Sequence, residues 1–360
     1  MCSKPAAQVG YVLLDFFHRS LQPDQSSLEN FRILFPWSRH CLIILPPISP
    51  SRVACYISGS AGQPAHSMKI SFGSWAFSFG PYADQPIPFE ATVERISAAG
   101  YDGIEICGFP PHVTRDRYPT VASRRGLLRF LQDRHLGISG YAADFTSVNP
   151  LAPQNRQRYL DLFLRNLEMC VDLVSPSLRV DTIAAPGSID DQEYDACFNR
   201  VADLWRECAQ IAQDAGVRVV WEFEPGFVFN KPSEIVVLHR RVAHPNFRIL
   251  FDTCHAYMCA VVGARQHAPR ETLPGGASEL LRKLDGRIGA IHLIDSDGSL
   301  YGEETSAHVP FGKGNVDFQA LAPQLLKVPG IDWWCIDMCF RKDSWDLVAP
   351  SREFVASLSA

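Results

Sequence analysis

The chain has no Cys-x-x-Cys pair, no apolar run of about 18 residues and no basic block, and each absence removes a class of function. Its eleven cysteines are scattered and odd in number over 360 residues. That is neither a disulfide scaffold nor a zinc-ribbon spacing, and a reducing, cytoplasmic setting is expected. Without a long apolar run, no spanning helix and no membrane partner are expected. The net charge is −5 with no basic stripe, so nothing prepares the surface for nucleic acid. The chain start lacks the charged, then apolar, then small-residue order of a secretory signal. No Gly-x-Gly-x-x-Gly follows the first strand-like segment, which offers FGSWAFSFG instead. That argues against a dinucleotide-binding open sheet.

What is present points to one large folded unit. Hydrophobic residues make up 46% of the chain and charged residues 20%, enough to bury a sizeable core. Residues 1–67 read differently, with Pro46, Pro47 and Pro50, Ser and Gln runs and no persistent helical or strand period. Met68 stands directly before the first convincing strand. The expected domain is therefore 68–360. Residues 1–67 are expected to be a poorly structured N-terminal extension, either disordered or an over-long reading of the gene.

From Met68 onward, strand-like and helix-like segments alternate. Strands are predicted at 69–78, 103–108, 137–145, 178–186, 217–224, within 247–257, at 288–295 and at 333–338. Helical spacing follows at 88–100, 121–135, 155–174, 191–215, 232–242, 277–284 and 318–328, and after Ser344. Eight strand–helix units over roughly 290 residues predict an α/β fold, a (β/α)8 TIM barrel. A doubly wound open sheet uses the same units, but a count of eight suits closure better.

In such a barrel the chemistry gathers at the C-terminal ends of the strands. The stretch FRILFDTCHAY is instructive. Its apolar run ends in Asp252, and His255 follows three residues later. Asp252 is either a cap for a following helix or a metal ligand. Elsewhere, the second strand offers Glu105, the fifth Glu222 and Glu224, the seventh His292 and Asp295, and the eighth Asp337. Strands one to four add Trp75, Tyr141, Asp144 and Asp181. Three carboxylates and an imidazole on consecutive strands repel one another unless a cation joins them. Oxygen-rich ligation with one His suits Mn²⁺ or Mg²⁺, with Co²⁺ or Zn²⁺ also compatible. The competing explanation is a network of caps and salt bridges.

The segments GVRVVWE, LFDTCHA, AIHLIDSDG and HVPFGKGNVDF together resemble the xylose isomerase-like TIM-barrel superfamily, in its branch of sugar phosphate isomerases and epimerases. The resemblance runs from Met68 to the C-terminus. It implies metal ligands at Glu222, Asp252, His292 and Asp337, with Mn²⁺ the first expectation. It implies a proton-transfer pair of Glu222 and Asp337 and a substrate contact at His255, with Glu224, Trp75 and Glu105 as further substrate-binding candidates. Asp337 departs from the Glu usual on the eighth strand and is one methylene shorter. Glu224 rivals Glu222, because two residues apart on a strand they face one side.

The implied activity is enediolate proton transfer on a ketose, cyclitol or similar polyhydroxy-keto small molecule. A dehydratase of the inosose or dehydroshikimate type is the alternative, and a non-catalytic binding barrel a second. Homo-oligomers are common in the superfamily, but no apolar stripe in this sequence marks an interface.

Overall fold

A computed structural model describes residues 68–359. The expectations for 1–67 lie outside the described residues. Eight parallel strands close into a barrel. They are β1 (Lys69–Gly73), β2 (Gly103–Gly108), β3 (Gly137–Ala143), β4 (Ser177–Val180), β5 (Arg218–Glu222), β6 (Phe247–Asp252), β7 (Ile288–Leu293) and β8 (Trp333–Ile336). Neighbours in sequence are neighbours in space, and β1 pairs with β8 to close the ring. Being covered on both faces, the strands read as near-continuous apolar runs rather than alternating ones.

The helices form the outer layer. They are α1 (Phe89–Ala98), α2 (Val121–Gln132), α3 (Arg156–Leu173), α4 (Tyr194–Asp214), α5 (Pro232–Val242), α6 (Gly276–Lys283), α7 (Phe318–Leu325) and α8 (Ser344–Leu358). Three starts have a clear local cause. A capping box between Thr120 and Ser123 opens α2, Pro232 occupies the first position of α5, and Asp317 caps α7 through the Ala320 N–H. In α4 the buried residues Cys197, Val201, Leu204, Trp205, Cys208 and Ala212 recur at helical spacing. Among the described residues no helix is long and apolar enough to cross a membrane, and the cysteines are unpaired and buried.

Several strands end earlier than their sequence predicts. β1 stops at Gly73, and Ser74–Phe77 forms a 3₁₀ turn instead of more strand. The Ser74 hydroxyl accepts the Cys107 N–H at 2.8 Å, replacing a ladder bond with a side-chain bond. β4 ends at Val180, β5 at Glu222 and β7 at Leu293. After β6 the chain opens with the helical turn Thr253–Tyr257 and a π-helical turn Met258–Val262. The excursion between β7 and α7 carries a small hairpin, Leu300–Tyr301 against Thr305–Ser306.

Candidate metal centre

Four side chains converge at the strand ends. Glu222 and Asp252 are the last residues of β5 and β6, His292 is next to last in β7, and Asp337 directly follows β8. Asp252 stands in register with His292, and Glu222 with Leu250, two residues before Asp252 on the same strand. A two-residue offset preserves the face, so all three side chains enter the barrel together. Ligand atoms of Glu222, Asp252, His292 and Asp337 lie within 4.8 Å of one another, and all four residues are buried.

The electrostatics bind this group tightly. Glu222 accepts from Arg179 Nη1 at 2.7 Å through Oε2, and its Oε1 faces His292 Nδ1 at 3.1 Å. Burial, the largest single influence, would raise Glu222, but the Arg179 guanidinium together with His292 and His255 outweighs it and holds the carboxyl down at about 2. Burial would also raise Asp337, and His308 and His292 hold it well below the usual carboxylate range. Trp75 Nε1 donates to Asp337 Oδ1 at 2.6 Å. Asp252 goes the other way, pushed well above its ordinary value by burial and by the neighbouring Asp337.

Asp252 answers the cap-or-ligand question with one oxygen for each role. Its Oδ1 accepts the His255 N–H at 2.8 Å and caps the helical turn. Its Oδ2 is buried without a hydrogen-bond partner. An orphaned carboxylate oxygen in the middle of such a cluster is costly unless a cation meets it. Three carboxylates and one imidazole, with that oxygen free, fit a divalent metal ion.

The other sequence candidates separate. His255 lies beside the cluster, with Nδ1 2.8 Å from Ser306 Oγ on the hairpin. Burial lowers its pKa to about 4, so it is neutral at pH 7. Glu224 lies two residues beyond the end of β5, and its carboxylate accepts from the Thr305 hydroxyl. Trp75 sits on the 3₁₀ turn with its ring 5.4 Å from that of His292. Glu105 is corrected in position. It is not at a strand end, because Ile106, Cys107 and Gly108 follow it in β2. Its Oε2 meets His292 Nε2 at 3.0 Å inside the barrel.

Of the aromatics on the first loop, Trp75 and Phe79 pack with Phe109 and Phe340 in a small separate cluster, whereas Phe77 belongs to the main core. Two functional candidates were missed. Arg179, inside β4, bridges Asp181 and Glu222, and an Arg within LRVDTIAAP gives no sign of facing inward. His308 stands 3.6 Å from Asp337, and its only signal was its place in HVPFGKGNVDF.

A closed parallel barrel with Glu222, Asp252, His292 and Asp337 gathered at its C-terminal strand ends is a TIM-barrel protein with a residue group that could hold a divalent metal ion. The family model for the xylose isomerase-like TIM barrel matches residues 93–357. The chain therefore belongs to the xylose isomerase-like TIM-barrel family. Among solved structures it is similar to a D-tagatose 3-epimerase-like protein, at 18% identity and TM-score 0.61, over 81% of this chain and 97% of that one. It is similar to an IOLI protein with a bound zinc atom, at 19% and 0.61, over 81% and 98%. A probable 3-DHS dehydratase, AsbF of Bacillus anthracis, matches at 17% and 0.60, over 80% and 98%. No curated protein matches.

Proposed function

We propose that the chain is a divalent-metal-dependent isomerase or epimerase that moves a proton on the carbon beside a carbonyl. Its substrate is a ketose, a cyclitol ketone or a similar polyhydroxy-keto compound. The observation that carries this reading is the convergence of Glu222, Asp252, His292 and Asp337 around the partnerless Oδ2 of Asp252. These four residues would hold a divalent cation, which would supply Lewis-acid stabilisation for the substrate carbonyl and its enediolate. The donor set favours Mn²⁺, and a structural neighbour bears zinc.

The chain's own groups supply the proton chemistry. Glu222 and Asp337 flank His292 Nδ1, at 3.1 and 3.6 Å, and form the proposed pair that removes and returns the proton. Glu224 competes for the first role. Arg179 makes Glu222 a weak acceptor, whereas burial of the Glu224 carboxyl pushes it up to about 8, and a general base works best with a pKa near the working pH. Neutral His255 orients a substrate hydroxyl. The Trp75, Phe79, Phe109 and Phe340 cluster provides an apolar wall.

A dehydratase is the second reading, favoured by the likeness to AsbF. It shares the first proton removal and then expels a β-hydroxyl. The test is solvent-deuterium exchange into a panel of ketoses and cyclitol ketones, with metal content measured in parallel. Wild type is expected to exchange, Glu222→Gln to lose metal and exchange together, and Glu224→Gln to keep metal. If Glu224→Gln keeps metal but loses exchange, Glu224 is the base. A wild type with no bound metal and no exchange on any compound would falsify the proposal.

A further inference from the structure

His292 is held from both sides. Its Nδ1 faces Glu222 Oε1 at 3.1 Å and Asp337 Oδ2 at 3.6 Å, while its Nε2 faces Glu105 Oε2 at 3.0 Å. The ring and all three carboxylates are buried. A neutral imidazole has one N–H and one lone pair, and the partner of one nitrogen decides what the other can do. We propose that Glu105 is a positioning residue: it accepts the Nε2–H of His292 and so presents a bare Nδ1 to Glu222, Asp252 and Asp337. The inference rests on the proposed metal centre.

The barrel is built around this contact. Glu105 reaches inward from the middle of β2, below the cluster. Opposite it, on β3, is Gly140, where a Cβ would lie 3.0 Å from both the Glu105 Cδ and the Ser177 Oγ. Any side chain there would press on the carboxylate. Beneath lies a cavity of about 130 Å³ lined by Glu105, Ser139, Ser177 and Arg218, among others. It is roomy and polar enough for water, which lowers the cost of burying a carboxylate. The opposite arrangement would place a cation between Glu105, Nε2 and Cys335, which also lie together. That set has three donors against four and leaves the Asp252 oxygen orphaned.

A carboxylate behind a metal-ligating His tunes affinity by roughly 10–100-fold. The test titrates Mn²⁺ calorimetrically into wild type, Glu105→Ala, Glu105→Gln and Gly140→Ala, with the melting temperature of each metal-free protein recorded. Histidine ¹⁵N spectra with Mg²⁺ read the tautomer, and the resonance missing from His292→Asn gives the assignment. Glu105→Ala is expected to bind Mn²⁺ about 10–100-fold more weakly. Glu105→Gln keeps an acceptor and should recover much of the loss. Gly140→Ala, with Glu105 displaced but present, should fall between wild type and Glu105→Ala, which keeps the question answerable if Glu105→Ala fails to fold. The wild-type spectrum should show a protonated Nε2 and a bare Nδ1. Unchanged affinity in Glu105→Ala and Gly140→Ala, or a protonated Nδ1 with ligated Nε2, overturns the inference while leaving the metal centre standing. A wild type that binds no Mn²⁺ overturns both.

Discussion

Arg179 Nη1 lies 2.7 Å from Glu222 Oε2, and the same guanidinium reaches Asp181 Oδ2 at 3.0 Å through Nη2. One partly buried fork thus holds two buried carboxylates beneath the barrel mouth. Removing it leaves two buried acids without their cation. Arg179→Met is expected to cost about 3–5 kcal/mol at pH 7, the range for breaking a buried ion pair. Urea unfolding measures it. Arg179→Lys should restore only part, because an ammonium cannot span both carboxylates in a fixed fork. Equal stability of wild type and Arg179→Met would mean that the two acids do not depend on this residue.

Metal affinity is expected to weaken as pH falls. Burial alone would lower His292, but Glu105 and the surrounding groups outweigh it and hold the ring well above 6.5. Asp252 is likewise held above its ordinary value. Both shifts favour the protonated forms in the metal-free protein, so cation binding is expected to release protons. Calorimetry of Mn²⁺ binding in two buffers of different ionisation enthalpy should show proton release, with weaker binding at pH 6 than at pH 8. A flat affinity across that range contradicts the proposed ligand set.

Much of this site was legible because barrel strands follow a simple rule: polar residues that break an apolar run at its C-terminal end face the mouth. Glu222, Asp252 and Asp337 obey it. The rule weakens where a strand ends early, since alternation no longer predicts direction. Glu224 lies past the end of β5, where its carboxylate accepts from Thr305, and Asp295, past the end of β7, accepts backbone N–H groups of the following loop. Glu105 was misplaced because its strand continues past it. Arg179 and His308 depend on contacts between segments far apart in sequence, which no local pattern encodes. The closed barrel itself followed from the count and alternation of elements.

A stability effect far from the site comes from His239 on α5. Its Nε2 pairs with the Phe247 carbonyl at 3.1 Å, and burial lowers its pKa to about 4. The folded state therefore resists protonation between about 4 and the unfolded value of about 6.5. In that window the unfolded chain binds the extra proton, so stability is lost as pH falls. The loss is about 1–3 kcal/mol after discounting for partial exposure. Urea midpoints at pH 7 and pH 5 should differ less for His239→Gln than for wild type; an identical pH dependence rules His239 out as the cause.

Asp295 tests the distinction between a ligand and a clamp at neighbouring positions of one strand end. Its Oδ2 accepts the N–H groups of Gly312 and Gly314, each at 2.9 Å. Its Oδ1 accepts those of Ser296 at 2.8 Å and Val316 at 3.1 Å. Four backbone donors are thus satisfied by one buried carboxylate, and the turn through Lys313 is folded around it. A Cβ on Gly314 would lie 2.3 Å from Asp295 Oδ1, so the backbone comes this close only as glycine. Asp295→Ala leaves those donors unsatisfied and is expected to cost about 3–5 kcal/mol. Asp295→Asn keeps one acceptor oxygen and should lose less. Gly314→Ala should be comparably harmful through the clash. All three are expected to retain Mn²⁺ affinity per folded molecule close to wild type, because Asp295 is not among the four converging ligands. A selective loss of Mn²⁺ binding in Asp295→Asn, without loss of stability, would move Asp295 from the loop to the metal.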